Sequence, residues 1–192
     1  MHSTTNPNAS ILIVEDESIV AMDIANKLGR LGYRVTGRAT QGEEALGLAR
    51  ERHPDVVLMD VRLAGAMDGV ETADRMRREC DVAVIYLTAH SDRATLDRAK
   101  LTEPFGFILK PFEERDLEPH IEMALYRHQA ERKLRESTEA LRQKSEELMR
   151  SNQELEDFNS AMVNRELRMI ELKKEVDTLC RQLGQPSRYG YG

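Results

Sequence analysis

Five short apolar runs in the first 109 residues constrain the fold of this chain more than any other feature. They are SILIV (10–14), YRVTG (33–37), DVVLM (55–59), AVIYL (83–87) and GFIL (106–109). Amphipathic stretches at roughly 17–30, 42–52, 69–79 and 92–101 separate them, and a further helical pattern starts after Pro111. Runs of β-rich apolar residues that alternate with helical periodicity read as repeated βα units. Strands joined by such crossovers run parallel. ILIV, VVLM and VIYL carry no polar alternation, so helices must cover both faces of the sheet. Right-handed crossovers then predict an α/β fold with a doubly wound, five-stranded parallel sheet.

In open sheets of this kind ligands bind beyond the carboxyl ends of the strands. Glu15 and Asp16 follow the first run, Asp60 the third, Thr88 and Ala89 the fourth, and Lys110, then Pro111, the fifth. Each has an ordinary explanation alone: helix opening for Glu15 and Asp16, a turn cap for Asp60, a strand end for Thr88, an exposed lysine for Lys110. Their co-occurrence at four strand ends favours a shared site. Three carboxylates at one rim repel, and one would take up a proton. Mg²⁺ relieves this, because it accepts one or two carboxylates, a carbonyl, waters and a phosphoryl group. Asp60 could then act as a nucleophile and form an aspartyl phosphate, with Mg²⁺ and Lys110 balancing charge on the transferring group.

The stretches ILIVEDE, PDVVLMD, MDG, YLTAHS and ILKPF, in this order, resemble the receiver domain of two-component response regulators over about residues 10–128. The resemblance implies a flavodoxin-like sheet of order 2-1-3-4-5, Asp60 as phosphoacceptor, and Glu15 and Asp16 as its acidic partners. It implies that the Arg62 main-chain carbonyl completes the Mg²⁺ shell, and that Thr88 and Lys110 meet the phosphoryl oxygens. Phe107 matches the aromatic switch position paired with Thr88, and Lys110–Pro111 a peptide that is often cis. His90 borders the phosphoryl site and is a candidate modulator of dephosphorylation, whereas His53 in RHPD reads as a loop residue. The loop DVRLAGAMDG is one residue longer than the common pattern and lacks its Met-Pro pair, and Phe107 lacks a tyrosine hydroxyl. Switching would then act through packing.

The chain changes character near residue 113. From Phe112 to Leu183 there is no glycine, and the only proline is Pro119. An apolar residue recurs at every seventh position: Leu134, Leu141, Leu148, Leu155, Met162, Met169, Val176 and Leu183. A strict seven-residue repeat specifies a left-handed coiled coil. With this series at position a, position d holds Ser137, Lys144 and Ser151, then Phe158, Arg165, Leu172 and Leu179. The seam is thus weak over 134–151 and strong over 155–183. The alternative register places Thr138, Ser145, Asn152 and Asn159 at a, and the first half stays open between the two. As one helix, residues 113–183 would span on the order of 105 Å. Val163, Leu167 and Ile170 form a second apolar set off the seam. The segment resembles coiled-coil helices that border bacterial sensor modules and histidine kinases.

The expected domains are a disordered tail over 1–9, a receiver over 10–128, a coiled-coil helix over 129–183 continuous with the fifth helix, and a flexible tail over 184–192. The 192 residues are 40% hydrophobic, 32% charged and 5% aromatic, which suits a smaller globule joined to a charged helix. A net charge of −6 advertises no nucleic-acid surface. Cys80 and Cys180 form no metal-binding pattern and read as reduced thiols. No signal peptide or membrane span is expected, so the expected location is the cytoplasm. The reading is a non-enzymatic response regulator whose partners are a histidine kinase or phosphotransfer protein and a second copy, or a helical partner, held through the coiled coil. A constitutive scaffold with an idle receiver is the alternative, and a Mg²⁺-dependent phosphohydrolase lacks a second catalytic acid.

Overall fold

The computed structural model describes residues 9–89 and 93–190. The chain divides into two compact units, Met1–Leu134 and Arg135–Gly192.

In the first unit the five apolar runs become β1 (Ser10–Val14), β2 (Arg34–Ala39), β3 (Val56–Asp60), β4 (Ala83–Thr88) and β5 (Gly106–Leu109). The helices are α1 (Ser18–Arg30), α2 (Gly42–Arg52), α3 (Gly69–Glu79), α4 (Arg93–Leu101) and the start of α5 (Glu114–Gln182). All pairings are parallel and the order is β2-β1-β3-β4-β5, the doubly wound arrangement expected. Strands are added to one side of β1 and then, from β3 onward, to the other, which makes the carboxyl ends of β1 and β3 the switch point.

Alternation within each strand divides the core in two. Ile11, Ile13, Val56, Leu58, Ile85 and Leu87 face α1 and α5, packing with Ile24, Leu28, Leu117 and Ile121. Leu12, Val14, Val57, Met59, Val84 and Tyr86 face the other way, packing with Ala45, Leu46, Val70, Ala73 and Met76. Both sets are buried, which is why the sequence shows runs rather than alternation. Strand limits differ from expectation at two places. The second strand runs over 34–39 rather than 33–37, and a register shift between Ile11 and Leu12 admits Thr36 as an extra residue. Asp60 and Thr88 are the last residues of their strands rather than the first beyond them, and Asp60 pairs with Leu87.

Two turns fix the approach to the rim. Asp68 caps α3 by accepting from the Glu71 amide at 2.8 Å. A Cβ on Gly69 would lie 1.8 Å from the Asp60 carbonyl oxygen, so only glycine permits α3 to start there. At the start of α5, Asp116 accepts from the Glu113 amide at 2.8 Å, and Lys27 of α1 donates to the Phe112 carbonyl at 3.0 Å. Pro119 removes one backbone donor near this end, yet α5 continues through it.

The second unit is helical to Gln182. Gly184 adopts φ 69°, its amide bonds Arg181, and the Gln185 amide bonds Cys180 at 2.8 Å, a Schellman stop. Residues 184–190, expected as a flexible tail, instead turn back on the helix. The amides of Arg188 and Tyr189 donate to one oxygen of Asp177 at 2.7 and 2.9 Å, and Asp177 is fully buried. Lys173 lies 5.7 Å from the Tyr189 ring centroid. The carboxylate supplies acceptors that a glycine-rich tail would otherwise take from water. At the other terminus Ala9, placed in a disordered tail by the sequence reading, is buried at 1% exposure, and its carbonyl bonds the Arg34 amide.

Candidate functional site

β1 ends in Val14, and the next residue, Glu15, has no exposed surface. Its amide stays in the sheet by donating to Ala39 at 3.0 Å, which holds the side chain at the rim. Asp16 accepts from the Ala64 amide at 3.2 Å, tying the end of β1 to the loop after β3. Asp60 projects from the end of β3 and accepts from the Arg62 amide at 3.0 Å. Lys110, directly after β5, donates to Glu15 at 2.6 Å and to Asp60 at 2.7 Å. Its own amide is fixed by the Thr88 carbonyl at 2.8 Å. The Lys110–Pro111 peptide is cis.

The three carboxylates, Glu15, Asp16 and Asp60, each offer an oxygen within 4.8 Å of the others. Electrostatics register the crowding. Burial, followed by the negative charge of Asp60, raises the Glu15 pKa from 4.5 to about 7 despite the opposing pull of Lys110. For Lys110, burial works against the charge, but the hydrogen bonds to Asp60 and Glu15 outweigh it and the pKa rises. One Glu15 oxygen, Oε1, is buried without a hydrogen-bond partner. An orphaned buried carboxylate oxygen beside two further carboxylates is a donor set that fits a hard divalent cation. A cleft of about 260 Å³, lined by Asp16, Glu17, Asp60, Val61, Arg62, Thr88, Ala89 and Lys110, opens onto it.

Thr88 stands at the rim, 5% exposed, with its hydroxyl donating to the Ala89 carbonyl at 3.2 Å. Phe107 is half-buried and stacks on Tyr86, with ring centroids 5.5 Å apart. Tyr86 in turn shares a 2.8 Å hydrogen bond with Thr102, just after α4, and Thr102 bonds the Ala99 carbonyl. Asp68 also accepts from Arg98 of α4 at 2.9 Å. The structure thus gathers Asp16, Asp60, Thr88 and Lys110 into one cleft, with Glu15 buried and bonded to Lys110, and sets Phe107 on β5 against Tyr86. His90 lies outside the described residues. Sequence reasoning passed over Tyr86 because it sits in an apolar strand, and over the Ala64 amide because backbone donors leave no mark on composition. A second cleft of about 490 Å³, lined by Ile19, Val20, Asp23, Lys27, Lys110, Pro111 and Phe112, adjoins the rim.

Comparison with known proteins gives a concordant result. Residues 11–122 match the family described as response regulator receiver domain. The chain is 37% identical over 128 residues to the transcriptional regulatory protein PdtaR of Mycobacterium tuberculosis, covering 65% of this chain and 62% of that one. It is 40% identical over 111 residues to the positive alginate biosynthesis regulatory protein of Pseudomonas aeruginosa, covering 56% and 44%. The chain therefore spans less than two thirds of these relatives. Among solved structures, the signal receiver domain of a modulated diguanylate cyclase from Desulfovibrio desulfuricans superposes with a TM-score of 0.62 at 41% identity, over 64% of this chain and 97% of that one.

Proposed function

The chain belongs to the response regulator receiver family, and on that premise we propose that it is a phosphorylation-switched regulator in which Asp60 accepts a phosphoryl group from a histidine kinase or phosphotransfer protein and α5 carries the output. The observation that carries this reading is Lys110, which reaches from β5 to both Asp60 and Glu15 at 2.7 and 2.6 Å. A cation held by two carboxylates is already placed to meet a phosphoryl group arriving on one of them.

In the proposed step an Asp60 oxygen forms a bond to phosphorus, and the phosphorus–nitrogen bond of the donor's phosphohistidine breaks, leaving its imidazole. Glu15, Asp16 and Asp60, with the Arg62 carbonyl, would hold Mg²⁺, which supplies charge neutralisation for the equatorial oxygens. The Arg62 amide, 3.0 Å from Asp60 Oδ1, holds the nucleophile in orientation. Lys110 follows the second oxygen and compensates charge as the acyl phosphate forms. Thr88 turns its hydroxyl from the Ala89 carbonyl toward the phosphoryl group. Its loss from that bond and the packing of Phe107 on Tyr86 alter the α4–β5 surface, a two-state element biased by local charge. The apolar cleft around Ile19 and Phe112, next to Lys110, offers a seat for the donor protein.

No helix among the described residues is long and apolar enough to cross a membrane. The output side of the proposal rests on the a/d residues of α5, which are exposed in the single chain: Leu134, Leu141, Leu148 and Leu155 at 55–69%, and Phe158, Met162, Met169, Leu172, Leu179 and Leu183 at 40–74%. Such a stripe calls for a second helix. The test is mass spectrometry after treatment with acetyl phosphate and Mg²⁺. One phosphoryl group is expected on the wild type and none on Asp60→Asn or in EDTA. Unchanged incorporation in either control removes Asp60 or the metal from its role, and no incorporation in the wild type leaves an idle receiver on a constitutive scaffold.

A further inference from the structure

The charges that flank the seam decide how two copies would meet. Arg165 occupies a d position in an otherwise apolar stretch. In a parallel, in-register pair it would face its own copy, and Arg168 at g would lie beside Lys173 at e of the other chain. Both contacts are repulsive. Turning one helix around changes every partner. Aligning Met169 with Leu172 of a second copy also places Met162 against Leu179 and Phe158 against Leu183, each layer occurring twice by symmetry. In that register Arg168 meets Glu175, and Glu166 meets Lys173, again twice each. Arg165 is separated from its copy by 11 residues of helix and faces Val176, with Glu175 adjacent. Sliding the antiparallel pair by one heptad toward the N-terminus sets Arg168 against Arg168 and Glu166 against Glu166, so charge selects the register as well as the direction.

The structure leaves most of this seam open. Met162, Met169 and Leu172 are 40–50% exposed and Phe158 62%. Arg168 pairs with Glu171 at 3.1 Å on the exposed side of its own helix, a contact of the weak kind that a partner carboxylate can replace. The returning tail, held by Asp177, reaches the flank at Lys173, and Val176 is half-buried. It leaves Leu172 and Leu179 open, and Lys173, whose ammonium rests over the Tyr189 ring, exchanges that contact for Glu166 of the second copy.

We propose that residues 158–183 form an antiparallel coiled coil with a second copy of this chain, centred between Met169 and Leu172. The inference rests on the seam reading above and adds its partner, direction and register. It is tested on the full-length protein by sedimentation equilibrium at low salt. Arg168→Glu and Lys173→Glu should each weaken the dimer roughly tenfold, since each replaces two attractive contacts by two repulsive ones. Arg168→Glu/Glu175→Arg should restore it to within about threefold. A parallel pair predicts the opposite sign, because each single change would then set a carboxylate beside a cation of the other chain, and tightening by either one overturns the proposal. Circular dichroism establishes that helix content is kept. A spin label at Ser160→Cys, with Cys80→Ser and Cys180→Ser, gives a second readout: more than about 30 Å between labels in the antiparallel register, against under roughly 20 Å in a parallel one. A protein that stays monomeric at tens of micromolar removes the second copy as occupant. Phosphorylation of Asp60, followed by mass in the same sample, stands or fails separately from every one of these outcomes.

Discussion

Glu15 carries a cost that shows in the pH dependence of stability. Its folded pKa, about 7, lies above the ordinary 4.5. Between those values the folded state holds a proton that the unfolded state has released. Stability without metal should therefore be highest below pH 4.5, as far as this group is concerned, and fall as pH rises through about 7. The size is on the order of 3 kcal/mol. Urea unfolding in EDTA at pH 5 and pH 8 should show that decline, and Glu15→Gln should flatten it. Added Mg²⁺ at pH 8 should recover stability in the wild type and do so less in the variant. Asp60→Asn removes one of the charges that raise Glu15, so without metal it should be at least as stable as the wild type while failing to take up phosphate. An unfolding midpoint clearly below the wild type would show that Asp60 contributes to the fold through Lys110 more than it costs through Glu15. The five rim residues were legible because acids, a hydroxyl and an amine at strand ends contradict their apolar neighbours. Asp177 was not. One acid in a helix full of acids has no such contrast, and its buried role depends on a tail whose return path no local pattern encodes.

At the level of elements, the β3–α3 connection is the tightest part of the site. Gly69→Ala would drive a methyl group into the Asp60 carbonyl, where 1.8 Å is available. The loop must move, and the expected loss is roughly 2–4 kcal/mol of stability together with slower phosphorylation. Thermal unfolding and acetyl phosphate kinetics on the same sample check both. Unchanged phosphorylation in a destabilised protein would mean that Asp60 keeps its place while α3 yields. Glycine here is a matter of space alone, whereas Gly184 is needed for its positive φ. The sequence announced the parallel sheet because covered strands must be apolar on both faces. It gave no sign of the extra residue at Thr36, which is set by hydrogen bonding to β1, where Thr36 Oγ1 reaches the Ile11 carbonyl at 3.2 Å. That is a property of the pairing rather than of the strand.

For the whole molecule, each of the two units should keep its own behaviour. A chain ending at Leu134 retains every rim residue and all core side chains of the first unit. It should be monomeric in sedimentation and still gain one phosphoryl group, while the full chain self-associates. A truncated chain that dimerises as tightly as the full one would move the interface into the first unit. The heptad series was readable at once from spacing, but its direction was not, because apolar residues at a and d are indifferent to orientation and only the charges beside them discriminate. The single helix from Glu114 to Gln182 has one more consequence, for how such a gene can change length. Each inserted or deleted codon turns everything after it by about 100° about the axis. Seven codons return the leucine stripe to within about 20° of its former phase, whereas two swing it by about 200° to the opposite side. Insertions between Leu134 and Leu155 that survive selection should therefore accumulate in sevens.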